Sequence, residues 1–128
     1  MQHQCIIPTR VAPLVLAEML DRIAAQGGAS FLTVLKKLGP SNGFLSFPFS
    51  GYTLALDFPL MPGILEFLND LDRLVVAAGG RLYLAKDARQ SRSTFEAGYP
   101  GLRHFRDIRR SVDPRCRIRS QLSERLGI

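Results

Sequence analysis

Seven positions could act together on one ligand if this chain folds as a sheet with one face open: Gln2, Gln4, Lys36, Thr53, Ala55, Asp57 and Lys86. They lie in four segments rich in β-forming residues, and in an extended chain alternate side chains point to the same side. Two amides, a hydroxyl, a carboxylate and two ammonium groups can hydrogen-bond a polyhydroxy ligand or hold positive charge beside an anion. The plainer alternative is a sheet that is merely polar on its solvent side, as antiparallel sheets commonly are. Other chemistry has less support. His3 and His104 show no acidic or cysteine partner at useful spacing, and Cys5 and Cys116 fit no metal or redox motif, so both cysteines read as ordinary reduced thiols and no metal site is expected.

The elements that must position these residues can be read from periodicity. Residues 2–9 run into Cys5-Ile6-Ile7 before Pro8 and suit a first strand. Over residues 10–26, Leu16, Met19, Leu20 and Ile23 recur at helical spacing, and Gly27-Gly28 supply a stop. Residues 30–38 read as a second strand, ended by Gly39-Pro40-Ser41-Asn42-Gly43. The third strand, 51–58, alternates most clearly, with Tyr52, Leu54, Leu56 and Phe58 opposite Thr53, Ala55 and Asp57. A second helix opens at Pro62, carries the stripe Ile64, Leu68, Leu71 and Val75, and ends at Gly79-Gly80. Residues 81–87 alternate again as a fourth strand, followed by helical stretches over 91–99, 102–112 and 120–126.

Strand, helix, strand, strand, helix, strand is the order of a ferredoxin-like βαββαβ unit, an α+β antiparallel sheet with helices on one face and, here, extra C-terminal helices. Right-handed crossovers put strands one and three in the centre, with strand four beside strand one and strand two beside strand three. The apolar side of strand three then packs under the helices and leaves the seven candidates on the open face. Leu82 and Leu84 share the parity of Lys86, so they too are expected there, with Val34 and Leu38. An apolar-flanked lysine implies a covered face, and the chain is too short to supply a second layer, so a partner or a second copy is expected to cover it.

The totals fit one domain: 128 residues, 46% hydrophobic and 22% charged. No apolar stretch approaches the ~20 residues of a membrane span, and residues 1–4 lack the character of a signal peptide. A cytoplasmic protein is expected, with attachment at a membrane surface left open. The net charge of +6 is concentrated: residues 103–125 carry eight arginines against Asp107, Asp113 and Glu124. Such a run could meet nucleic acid, an acidic membrane surface or an anionic substrate, although a solvated helix face is the commoner explanation.

Four segments together carry a family resemblance: 2–8 (QHQCIIP), 30–36 (SFLTVLK), 51–59 (GYTLALDFP) and 79–87 (GGRLYLAKD), with the ending from Val112-Asp113-Pro114 to Leu126. This set resembles the FAD-linked oxidases of the vanillyl-alcohol oxidase type. Within them it is similar to the flavoprotein subunits of decaprenylphosphoryl-ribose 2′-epimerases. The likeness covers nearly the whole chain but only the C-terminal, substrate-binding part of such enzymes. The FAD-binding domain, with its glycine-rich pyrophosphate loop, has no counterpart in these residues, so a separate FAD-binding domain or subunit is implied and the chain alone is expected to be inactive. The resemblance implies that Lys86 reaches flavin and substrate, that Gln2 and Gln4 bind near the isoalloxazine and the sugar, that Lys36 and Thr53 line the pocket, and that Asp57 supports them. Ala55 stands where that subunit has a cysteine. The implied chemistry is oxidation of a sugar or other alcohol carbon, with hydride passing to FAD.

Two rivals belong to other classes. An RNA-binding module shares the strand order and the basic charge, but strand one offers glutamines where such modules expose aromatics, and exposing Tyr52 would bury Asp57, so nucleic acid is disfavoured. A ferredoxin-like ligand-binding or dimerisation module, pairing through the open sheet face as a homodimer, satisfies the pattern equally well.

Overall fold

The computed structural model describes residues 1–27 and 32–128. β1 (Gln2–Pro8), α1 (Ala12–Gln26), β2 (Thr33–Leu38), β3 (Gly51–Asp57), α2 (Ile64–Ala77) and β4 (Arg81–Leu82) follow in the expected order. All pairings are antiparallel and the strand order is β2-β3-β1-β4, the order that right-handed crossovers require. The fold is α+β.

Helix α1 carries both a start and a stop. α1 has a proline in its first turn and closes on Gly27, whose φ of 71° is left-handed, a conformation that costs glycine little. Gly28, the other half of the expected stop, and residues 30 and 31 of the expected second strand lie outside the described residues. In α2 the stripe Ile64, Leu68, Leu71 and Val75 is fully turned inward. It meets Cys5, Ile7, Leu54 and Leu56 from the sheet and Leu16, Met19 and Ile23 from α1. Burying each of these aliphatic side chains is worth about 1.5–3 kcal/mol. Leu20 departs from the expected α1 stripe and is 46% exposed, because the stripe is narrower than the apolar sequence suggests.

The fourth strand is where sequence periodicity misleads. It ends at Leu82, and Leu84–Lys86 form a single 3-10 turn instead. Leu82 pairs with Cys5 and sits in the helix-side core, while Arg81 pairs with Ile6 on the opposite face. Leu84 leaves the sheet for a second apolar cluster built on Phe95, Tyr99, Leu102 and Leu126. Neither leucine therefore lies on the open face. Beyond Leu82 the Tyr83 carbonyl closes a turn by accepting the Lys86 N–H at 3.0 Å, while the Tyr99 hydroxyl donates to Leu82 O at 2.6 Å and the Tyr83 ring packs against Phe47 at 4.5 Å.

That second cluster is made by α3 (Arg92–Gly98), α4 (Leu102–Val112) and α5 (Gln121–Leu126). Ser120 and Ser123 form a reciprocal capping box at the start of α5, satisfying amides that the helix leaves free. The chain also supplies part of the second layer that its length argued against. Ile6 is fully buried although it shares a face with Thr53 and Lys36. Arg81, on that same face, donates to Ser46 O and lies over the Phe49 ring at 4.6 Å, so the loop before β3 folds back over this end of the sheet.

Candidate functional site

The registers place the candidates in rows. Gln2 is opposite Asp57; Gln4 is opposite Ala55, which is opposite Val34; Ile6 is opposite Thr53, which is opposite Lys36. Directly opposed residues share a face, so Gln2, Gln4, Lys36, Thr53, Ala55 and Asp57 lie on one surface. Within it the Gln4 amide donates to the Thr53 hydroxyl at 3.1 Å, fixing both side chains. Thr53 is buried, Lys36 is exposed on the edge strand, and Asp57 and Ala55 are half-buried. Neither Lys36 nor Asp57 makes an ion pair among the described residues.

Lys86 comes beside Gln2 and Gln4 by a different route from the one its parity suggested. The Tyr83 N–H donates to Gln4 O at 2.9 Å, and the Lys86 N–H closes the 3-10 turn on Tyr83 O at 3.0 Å. The turn thus hangs from β1 at Gln4, and Gln2, Gln4, Tyr83 and Lys86 line one small cleft. Lys86 is exposed and without an ion-pair partner among the described residues. Lys36 stands on the far margin, three strand spacings or about 14 Å from β4. The two lysines therefore flank the face from opposite sides.

Charged contacts hold the Lys86 turn on two sides. Asp87 accepts the backbone N–H of Arg89 (2.9 Å) and of Gln90 (2.8 Å), and takes Arg125 Nη2 of α5 at 2.8 Å. Burial pushes the Asp87 carboxyl up, but the Gln90 and Arg89 amides and then Arg125 outweigh it and hold it below the usual carboxylate range. On the other side Arg89 grips Asp72 of α2 with both Nη groups at 2.8 Å, and His3 Nε2 lies 3.0 Å from the same carboxylate. Asp72 and His3 are almost completely buried, and His3 points to the helix side, opposite its neighbours Gln2 and Gln4. The acidic partner of His3 is one that sequence spacing did not offer, since Asp72 lies 69 positions away. The odd signal was a histidine with strand parity on the apolar side, since a polar group buried there needs a partner.

The cysteines are both free. Burial pushes the Cys5 thiol up to about 12, so it stays protonated and unreactive in the core.

An antiparallel sheet covered by helices on one side, with a largely polar face on the other, defines an α+β domain with an open sheet face. The chain belongs to the D-arabinono-1,4-lactone oxidase family, whose model matches residues 52–126. It is 42% identical to a decaprenylphosphoryl-beta-D-ribose oxidase of Mycolicibacterium smegmatis over 100% of this chain and 28% of that protein. It is also 41% identical to an uncharacterized protein in mprA 5'region of Streptomyces coelicolor, over 89% of this chain and 32% of that protein. These matches bear out the FAD-linked oxidase likeness read from the four segments and the ending. The chain spans about a third or less of each of these relatives. No helix among the described residues is long and apolar enough to cross a membrane.

Proposed function

We propose that this chain is the substrate-facing part of an FAD-dependent oxidoreductase acting on a sugar or other alcohol carbon, working with an FAD-binding domain. One observation carries the reading: the free ammonium of Lys86 stands at the same cleft as the amides of Gln2 and Gln4, at the edge of a face that also holds Lys36, Thr53 and Asp57. The donor set suits a flavin ring and a hydroxylated ligand, being rich in N–H groups with one free carboxylate. FAD, when bound, supplies the acceptor for the hydride.

The chain's own residues orient and polarise. Gln2 and Gln4 donate to ring or sugar oxygens, and the Gln4–Thr53 bond restricts Gln4 to fewer rotamers, so less freedom is lost on binding. Lys86 places positive charge where negative charge develops on the reduced ring, a preorganised electrostatic role. Lys36 and Asp57 hold the ligand's far end. Ala55, between Val34 and Gln4, leaves a small apolar spot in the floor.

The test is a flavin titration of the purified chain, followed by fluorescence quenching, with Lys86→Ala alongside. A charged hydrogen bond is worth about 1.5–3 kcal/mol, so the variant should weaken saturable binding at least tenfold. Saturable binding that ignores the substitution would remove Lys86 from the flavin site, and no binding by the unaltered chain would deny it any catalysis of its own and send the search to the FAD-binding partner.

A further inference from the structure

A second surface lies wholly outside the sheet. α3, α4, α5 and the segment between the last two enclose a groove of about 610 Å³ whose lining includes Arg92, Arg106, Arg109, Arg110 and Arg119. Its carboxylates, Asp113 and Glu124 in the lining with Glu96 and Asp107 outside it, neutralise its five arginines only in part. Asp113 spends both oxygens on the backbone N–H groups of Arg117 and Ile118, each at 2.9 Å. Glu96 serves Arg92 and Arg106, and Asp107 serves Arg110. Arg109 and Arg119 donate instead to the backbone carbonyls of Ile118 and Cys116. Of the eight arginines between residues 103 and 125, Arg103, Arg109, Arg115, Arg117 and Arg119 have no ion-pair partner among the described residues.

The groove wall is built to take a guanidinium closely. Gly127, with φ at 71°, lies against Arg92, and a Cβ there would come within 2.7 Å of its Cζ. Adjoining the groove, and sharing Arg109 and Asp113 with it, is a second hollow of about 170 Å³ that is apolar in character. Its rim carries Ile108, Val112 and Ile118, which are 50%, 74% and 74% exposed.

We propose that this side of the molecule docks on an anionic phospholipid bilayer, with lipid phosphates in the arginine groove and Ile108, Val112 and Ile118 dipping into the acyl boundary. Unpaired arginines beside exposed aliphatic side chains are complementary to a surface that is negative outside and apolar just beneath. Nucleic acid would match the charge but gives the isoleucines and valine nothing to bury against, and the aromatic that lines the hollow, Phe105, is half-buried against the cluster under α3, α4 and α5 rather than presented to stack on a base.

Co-sedimentation with phosphatidylcholine vesicles, with and without phosphatidylglycerol, tests this. The chain should pellet with the anionic vesicles only, and raised salt should release it. Arg110→Gln with Arg119→Gln should weaken partitioning about fivefold each, roughly 25-fold together. Val112→Ser with Ile118→Ser, at exposed positions where folding should be indifferent, should also weaken it while leaving retention of a single-stranded oligonucleotide unchanged. Circular dichroism checks that each variant is folded. The proposal is overturned by absence from the anionic pellet, by equal binding to neutral vesicles, by indifference to the serine pair, or by an oligonucleotide that displaces the chain without regard to lipid.

Discussion

Single residues show both the reach of sequence parity and its limit. Alternation along β1 and β3, carried across the sheet, correctly put Gln2, Gln4, Lys36, Thr53, Ala55 and Asp57 on one face, because register is fixed wherever the other face is buried. Lys86 reaches the same cleft through a turn rather than a strand, so its parity was a coincidence of spacing. The His3–Asp72–Arg89 cluster was illegible, since its members come from β1, α2 and the segment after the turn and only the folded chain brings them together. Its importance for stability can be measured. Asp72→Ala leaves Arg89 and His3 inside without their shared acceptor, and breaking a buried pair in this way costs about 3–5 kcal/mol. Urea unfolding should show a loss of that size, whereas Lys86→Ala, at an exposed and unpaired position, should stay within about 0.5 kcal/mol of the unaltered chain. Equal small effects from both would mean that the cluster contributes little to holding α2 against β1.

Among the elements, the turn carrying Lys86 depends most on charge. α5 reaches it through Arg125, which grips Asp87 and also donates to Gln90 O. The folded-state pKa of Asp87 lies below its ordinary value, so the group contributes stability that is fully present above the unfolded value of about 3.9 and is lost as pH falls through the folded value. Asp113 acts in the same direction, held down by the N–H groups of Arg117 and Ile118. Urea midpoints should therefore fall as pH drops below about 4. In Asp87→Asn the midpoint should start lower at neutral pH and decline less steeply in acid. A variant whose acid slope matches the unaltered chain would assign the pH dependence to other carboxylates, Asp113 first.

Viewed whole, the molecule is two apolar clusters of unequal size joined by few bonds. Among the described residues the sheet-side cluster buries fourteen hydrophobic side chains and the cluster under α3, α4 and α5 buries four. Polar links between them include the Tyr99 hydroxyl on Leu82 O and the Arg125–Asp87 pair, the first buried and the second partly so. Opening free energies follow buried apolar contact, so the smaller unit should open first. Amides of α4 and α5 should then exchange with solvent at lower free energy than those of β1 and β3. Tyr99→Phe removes one link while preserving the ring, and should speed exchange in α3 to α5 with little change in the central strands. Because α5 holds Asp87, that opening would also loosen the Lys86 turn and couple the helical end of the molecule to the polar face. Exchange at one common free energy in both halves would show instead that the chain opens only as a unit, and the helical end could then change the cleft only by unfolding it.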